Sequence, residues 1–574
     1  MAQFSLSIPK QDPGRRLSIG CSSGEISAWL DALPIADPEK ALLQLLPALE
    51  EMNQCVLDIR TRYQAMKEFG ALADKFIEPI RKKYLMAPFP LSGKNYERAV
   101  QIKRLLQEMA TGYKIVFSHY MADKRDLSKA DIVLCLCLAV DYMARLILEN
   151  YLLYEALVPK VWRELHTLFS FSSQLGFHNT VVEMAGNRHS TLERKYMQVL
   201  LLAAIKPYRL MSGEAQQVFE QMEEWSQHCS TQIPLRGWQA NGEIIVDLSS
   251  DEAPYHAPTG AVYDDINNLR VLNIEALKQV IQKRADAVAS DVKNSPAFAL
   301  ARRQQRNMLS RLVSGWRSKN DRQDERAARQ QPIDVVCGLV DSHNIFSTEI
   351  NVEAGQQPLK KPLSLDDLSL TPHEDSWGTA PKQKVEMGRA SQFRLDDPTH
   401  DVWEKKHTLH TEQDTPPEPA APVRHYLARQ TDVSTGGIGA AFDIESGLKP
   451  RVGDLVCYRT SGESAWNLGQ ISWLAMSHTE GGGFGIMSFG PLVRPIFVKA
   501  LRGVGEGGDF MRALLTQADR FEAPEARLIL PAAIYDIDTV LTVQGARPAL
   551  RLRLTELQET SESFTCFAFR IIEN

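Results

Sequence analysis

Apolar residues in the first 228 positions recur at helical spacing. Ala41, Leu42, Leu45, Leu46 and Leu49 mark one face, and Val56, Ile59, Tyr63 and Met66 mark the next. Asp37-Pro38-Glu39 has the form of an N-cap followed by proline at the first helical position. The runs 95–122, 129–157, 159–175 and 191–209 continue the pattern, and period-two alternation is scarce. Residues 24–228 therefore predict an all-α domain, either a bundle or an irregular solenoid, behind a flexible N-terminus over 1–23. No 34-residue repeat supports a tetratricopeptide array.

Residues 229–267 change character. Gly237, Gly242, Pro254, Pro258 and Gly260 punctuate a connector in which Glu243–Asp247 predicts a short strand, with room for a hairpin. Helix is expected again over 268–318, with Leu272, Ile274, Leu277, Val280 and Ile281 as its stripe. A short strand follows at Ile333–Leu339. Residues 347–421 carry eight prolines, many acidic and hydroxyl residues and few apolar ones, the composition of a disordered insertion or linker. From Arg424 onward short runs separated by glycine turns predict a small antiparallel barrel over 422–500, through Gly453–Arg459, Trp466–Leu474 and Gly485–Phe489. The remainder, 501–574, is expected to be a β-rich extension with a short helix at Asp509–Ala518. Its strand candidates are Ala533–Val543, Ala549–Leu557 and Ser563–Ile572. The fold class is α+β and multidomain.

Composition narrows the function. A formal net charge of -6 across 574 residues argues against bulk nucleic-acid coating and against a membrane-surface protein. The N-terminus has no apolar segment behind its basic residues, so no signal peptide is expected. The most apolar stretches, Ile132–Val140 and Tyr196–Ile205, are too short to span a bilayer. Eight scattered cysteines contain no CxxC pair, so neither a disulfide framework nor a zinc site is expected. His407 and His410 stand in the low-complexity segment without further ligands. No Ser-His-Asp or Cys-His set emerges, so no catalytic residue is assigned. Gly503-Val-Gly505-Glu-Gly507-Gly508 satisfies GxGxxG, but its surroundings are antiparallel, and a turn is the simpler reading.

One local charge feature stands out. Nine Lys or Arg residues between Ala301 and Gln330 face three acids, a balance of +6, and lead into the strand at Ile333. Only Trp316 is interleaved with them, which argues against single-strand nucleic-acid binding. Within this patch Arg322-Gln-Asp-Glu-Arg326 has RxxxR spacing seven residues before Ile333, although Arg302-Arg-Gln-Gln-Arg306 has it too. Farther on, Asp432-Val-Ser434-Thr-Gly436-Gly437 has the form DxSxxG between two strands. Gly469-Gln-Ile-Ser-Trp473 and Phe484-Gly485-Ile-Met follow it.

This combination resembles the PilZ family of cyclic di-GMP receptors. The likeness covers about 424–500, with the RxxxR half displaced upstream. It implies a split barrel, with the arginine arm and first strand at 319–346 and a long insertion before the second strand. By resemblance, Arg322 and Arg326 would clamp guanine and phosphate, while Asp432, Ser434 and Gly437 would line the barrel surface. The residue types suit the ligand. Arginine can bond phosphate or guanine O6 and N7 bidentately and stack on a purine. Asp432 can accept from guanine N–H groups. Gly436 and Gly437 allow positive φ and close backbone approach.

The resemblance further implies a cytoplasmic bacterial effector with cyclic di-GMP as ligand, no other cofactor and no enzymatic activity. Protein partners, pilus or flagellar machinery, would act on the helical half, in surface attachment, pili or motility. An adaptor or scaffold whose barrel no longer binds nucleotide is the alternative.

Overall fold

The computed structural model describes residues 6–572 apart from 86, 123–126, 185–187, 264, 291–298, 317–325, 354–422, 478–479, 491, 517–525, 533 and 545–549. The expected insertion at 347–421 lies mostly outside the described residues; its first residues belong to a helix described below.

The helical half comprises α1 (Ser23–Asp31), α2 (Pro38–Gln54), α3 (Ile59–Leu85), α4 (Gly93–Ala122), α5 (Lys129–Leu152), α6 (Val161–Gln174), α7 (Leu192–Ala204) and α8 (Glu214–Trp225). A small hairpin, β1 (Val182–Met184) and β2 (Arg188–Ser190), precedes α7. The helix starts follow the side chains at their caps. Asp37 accepts from the Lys40 backbone N–H, and Ser22 and Ser128 form reciprocal capping boxes with Glu25 and Asp131. α5 lies against α4 and α7 and is apolar around nearly its whole circumference. The charges in this core are matched. Arg81 meets Glu149 at 2.7 Å, Lys114 meets Glu164 at 2.7 Å, and Lys195 lies between Asp141 at 3.1 Å and Glu223 at 2.9 Å.

The stretch expected to be a connector is a four-stranded sheet, ordered β3 (Ser230–Gln232), β6 (Leu269–Asn273), β4 (Ile244–Asp247), β5 (Tyr255–His256). Leu272, expected on a helical stripe, instead pairs with Thr231 and Ile244. The helix cannot start earlier because Asn273 Oδ1 takes the Glu275 backbone N–H at 3.1 Å. α9 (Glu275–Ser290) and α10 (Ala299–Gly315) follow as two helices rather than one. α10 is fixed at its C-terminal end. Trp316 is fully buried and donates from Nε1 to the Leu201 carbonyl at 3.4 Å. A side chain at Gly315 would approach the Ile205 carbonyl within 2.9 Å.

The middle barrel is closed and six-stranded, in the order β10-β11-β12-β9-β8-β7. Its strands are β7 (Ala327–Cys337), β8 (Tyr426–Ser434), β9 (Gly437–Phe442), β10 (Leu455–Thr460), β11 (Asn467–Ser477) and β12 (Gly481–Gly490). β7 begins at Ala327, directly after Arg326, not at Ile333 as expected, and ends at Cys337. Gly338, at φ 93°, turns the chain into α11 (Leu339–Glu353), so Leu339 starts a helix.

The C-terminal region is a second closed barrel, β13-β14-β15-β18-β17-β16. It is built from β13 (Val493–Arg502), β14 (Met511–Thr516), β15 (Arg527–Pro531), β16 (Val540–Val543), β17 (Arg551–Thr560) and β18 (Phe564–Ile572). The helix expected at Asp509–Ala518 is therefore wrong over β14. Ala513 and Leu515 face the barrel interior while Leu514 packs outward against the middle barrel, so both faces are buried and the alternation disappears.

The two barrels share a core. Val336, Leu455 and Leu468 of one meet Leu514, Ile529 and Phe564 of the other, with Leu339 and Phe346 of α11 in the same cluster. The helical half reaches both barrels. The Met476 N–H on β11 donates to the Tyr154 carbonyl at 2.7 Å, and Arg311 of α10 pairs with Glu214 of α8 and lies 3.8 Å from Glu559 of β17. Among the described residues no helix is long and apolar enough to cross a membrane.

Asp454 sits where the three units meet, beside Gly453, where an added Cβ would press on Met211 and Ser561. Burial pushes its carboxyl up to about 6, from about 3.9 in an unfolded chain. The folded form thus holds the proton more tightly. The stability it contributes is full below pH ~4 and is lost as pH rises through ~6. Asp454→Asn keeps an acceptor for the Arg451 N–H, which the carboxylate takes at 3.0 Å. The variant should melt higher than wild type at neutral pH and lose less stability between pH 4 and 7. Thermal melts across that range check this, and an unchanged slope would refute it.

Candidate nucleotide-binding site

The predicted site residues converge where β7 and β8 pair. β8 carries Asp432 and Ser434, and β9 begins at Gly437 after a tight turn through Thr435 and Gly436. Ser434 pairs with Gly437 across this hairpin, and its Oγ donates to the Gly437 carbonyl at 3.3 Å. Positive φ falls on Gly437 (150°) and not on Gly436. A Cβ at Gly437 would overlap the Ile486 carbonyl of β12, so glycine is required for β9 to approach β12 this closely.

Arg326, immediately before β7, reaches Asp432. Its guanidinium lies 3.0 Å from Asp432 Oδ1, with the arginine side chain 47% and the aspartate 25% exposed. The second carboxylate oxygen accepts from Thr431 Oγ1 at 3.3 Å. Bulges between Ala328 and Gln331 on β7, and between Gln430 and Asp432 on β8, interrupt the ladder at this point. Such bulges re-aim side chains. Here Arg429 and Thr431 are exposed, and Asp432, across the bulge, is also partly exposed. Arg322, the other half of the spacing, lies outside the described residues. The structure thus brings together Arg326, Asp432, Ser434 and Gly437.

One ladder row crosses five strands through these residues: Ala328, Asp432, Gly439, Gly485 and Trp473. A side chain at Gly439 would collide with the Asp432 carboxylate, and one at Gly485 would overlap the Trp473 indole. The two adjacent glycines therefore form a floor, with Asp432 over one and Trp473 over the other. Sequence reasoning left Trp473, Gly439 and Gly485 out of the site. The signal was present in the spacing of Gly485 and Trp473, but only the register shows that they are neighbours.

The remaining candidates resolve simply. Gly503–Gly508 forms turns between the antiparallel β13 and β14, without the parallel crossover a dinucleotide fold needs. His407 and His410 lie outside the described residues. Among the described residues no group of three or more His, Cys, Asp or Glu could hold a metal ion. Arg311 of the basic patch is taken up by Glu214.

Three models of one family match consecutive parts of the chain. Residues 24–235 match the N-terminal domain of the cyclic-di-GMP receptor FimW, 244–495 match its middle PilZ domain, and 496–572 match the FimW C-terminal β-barrel domain. The cyclic-di-GMP receptor FimW of Pseudomonas aeruginosa is 22% identical over 592 aligned positions, covering 99% of this chain and 94% of that protein. No solved structure matches.

The glycine floor is testable. Gly485→Ala should push the Trp473 indole off the sheet without unfolding the helical half. A changed emission in Trp473 difference spectra (each protein against its Trp473→Phe counterpart), with helical circular dichroism retained, is the expected result. An unchanged Trp473 contribution would show that the indole does not rest there.

Proposed function

Since the chain belongs to the PilZ-domain family, we propose that its middle barrel binds cyclic di-GMP and that the protein is a second-messenger effector rather than an enzyme. The observation that carries this reading is the Arg326–Asp432 pair. It joins a residue of the displaced RxxxR spacing to the DxSxxG motif, although a long insertion separates them in sequence.

The chemistry follows from what each group can exchange. Without ligand, the Arg326 guanidinium and the Asp432 carboxylate satisfy one another. Guanine offers O6 and N7 as acceptors and N1–H and N2–H2 as donors; the phosphodiester offers anionic oxygens. Arg326 and Arg322 donate to phosphate or to O6 and N7, and Asp432 accepts from the donor edge. Neither charge is left unpaired when the ion pair opens. The half-buried Trp473, resting on Gly485, supplies a face on which a base can stack.

Signal leaves the site through the arm. Arg326 immediately precedes β7, and ten residues upstream of it Trp316 anchors α10 in the helical half. Closing the arm around ligand shifts the balance between two settings of that connection, by as much as the ligand's affinity differs between them. Output then passes to protein partners on the helical half, in surface attachment, pili or motility, within the cytoplasm.

Calorimetry of the full chain with cyclic di-GMP, and with GTP as control, tests the reading. Saturable binding to cyclic di-GMP alone is expected. Arg322→Ala, Arg326→Ala and Asp432→Ala should each weaken it about 10- to 100-fold, the loss of one or two charge-assisted hydrogen bonds. Folded wild-type protein that gives no binding would overturn the proposal and leave the barrel as a scaffold.

A further inference from the structure

The outer surface of the middle barrel also has a recess, and its rim chemistry is specific. An open depression of about 340 Å³ lies between β7, β8 and β9, with Pro332, Leu427, Phe442, Arg429 and Asp443 among its walls. Its size is at the small end of the ~300–1,000 Å³ range of small-molecule sites. Leu427 is 68% exposed, unusual for a leucine on a barrel strand. Arg429 and Asp443 are both exposed at the rim.

The recess lies on the same sheet as Asp432. The ladder row Pro332, Arg429, Ala441 runs parallel to the row Ala328, Asp432, Gly439. The two are three residues apart on β8 and two apart on β9, so roughly 7–10 Å separates them along the strands. The two bases of a cyclic dinucleotide project from opposite sides of a compact phosphodiester ring. A receptor that holds both needs two surfaces set apart in this way.

We propose that this recess is a second, guanine-selective subsite, with Arg429 and Asp443 reading the base, so that one cyclic dinucleotide is gripped by both of its bases. The inference rests on the reading of the barrel as a cyclic di-GMP site. Arginine is donor-only and aspartate is acceptor-only. Guanine has acceptors at O6 and N7 on one edge and donors at N1 and N2 on another, so it satisfies both groups. Adenine places a donor at N6 where guanine has O6, so it turns a donor towards Arg429, and it lacks the paired N1–H and N2 amine that Asp443 would take together. A bare phosphate would meet repulsion from Asp443. Leu427 and Pro332 supply the apolar contact that a purine face needs.

The test uses the full chain with three probes: cyclic di-GMP, 3′,3′-cyclic GMP–AMP and cyclic di-AMP. Wild type should bind one molecule of cyclic di-GMP per chain and prefer it to cyclic GMP–AMP by about tenfold or more, the discrimination of one bidentate base contact. In Arg429→Ala and in Asp443→Asn that ratio should collapse towards one, with thermal midpoints unchanged because both side chains are exposed. A structural defect would instead lower both affinities together and keep the ratio. The subsite is refuted if either variant retains the wild-type ratio, or if two cyclic di-GMP molecules bind per chain. Absence of any binding by wild type would remove the parent reading as well. Binding with an unchanged ratio would remove the subsite alone.

Discussion

The pairing of β7 with β8 is the contact on which the rest depends. Val335 lies opposite Tyr426, and Ala327 lies opposite Val433, across a long stretch of intervening chain. Without that pairing the middle barrel has two open edges and Arg326 has no reason to be near Asp432. Loop-closure entropy rises only with the logarithm of loop length, about 0.6 kcal/mol per doubling, so a long insertion is a modest burden. What holds the register against it is burial. Ile333, Val335 and Val336 are fully buried, the first two with the barrel core and the third against the second barrel. A one-residue slip would turn all three to the wrong side.

The same strand ties together the other units. Val336 and the α11 residues Leu339 and Phe346 pack into the core shared by both barrels. The chain entering β7 comes from Trp316, which is buried and bonded to the Leu201 carbonyl of α7. Arg311, five residues earlier, pairs with Glu214 of the helical half and approaches Glu559 of the second barrel. Of the described residues flanking the segment that contains Arg322, Trp316 is buried, whereas the start of β7 is exposed and the strand becomes buried only at Ile333.

Much of this was legible in the residues. One helix start could be read because Asp37 makes the cap contact its type predicts; the capping boxes of Ser22 and Ser128 emerged only in the structure. The split barrel could be read because RxxxR precedes one strand and DxSxxG ends another. Where the reading failed, local pattern lost to tertiary context. β14 is apolar on both faces because a second barrel packs on it, so its sequence carries no alternation. Leu272 has helical spacing but finds strand partners in Thr231 and Ile244. β7 starts at Ala327, through exposed and polar residues, because pairing with β8 holds it rather than burial. The Trp473–Gly485 contact and the Arg429–Asp443 recess depend on cross-strand register, which no single segment encodes.

The ion pair between Arg326 and Asp432 bears on how readily the site opens. Its partners are 47% and 25% exposed, and pairs in such surroundings contribute about 0–1 kcal/mol. On the proposed reading, parting them would oppose nucleotide binding only slightly, against hydrogen bonds to charged groups worth about 1.5–3 kcal/mol each. The pair would also hold Arg326 beside Asp432 beforehand and so lower the ordering entropy that such binding must overcome. A pair buried as deeply as Arg81–Glu149 would have fixed the arm but resisted exchange, since breaking a buried pair strands a charge. On that reading, partial exposure would let one contact both place the arginine and release it.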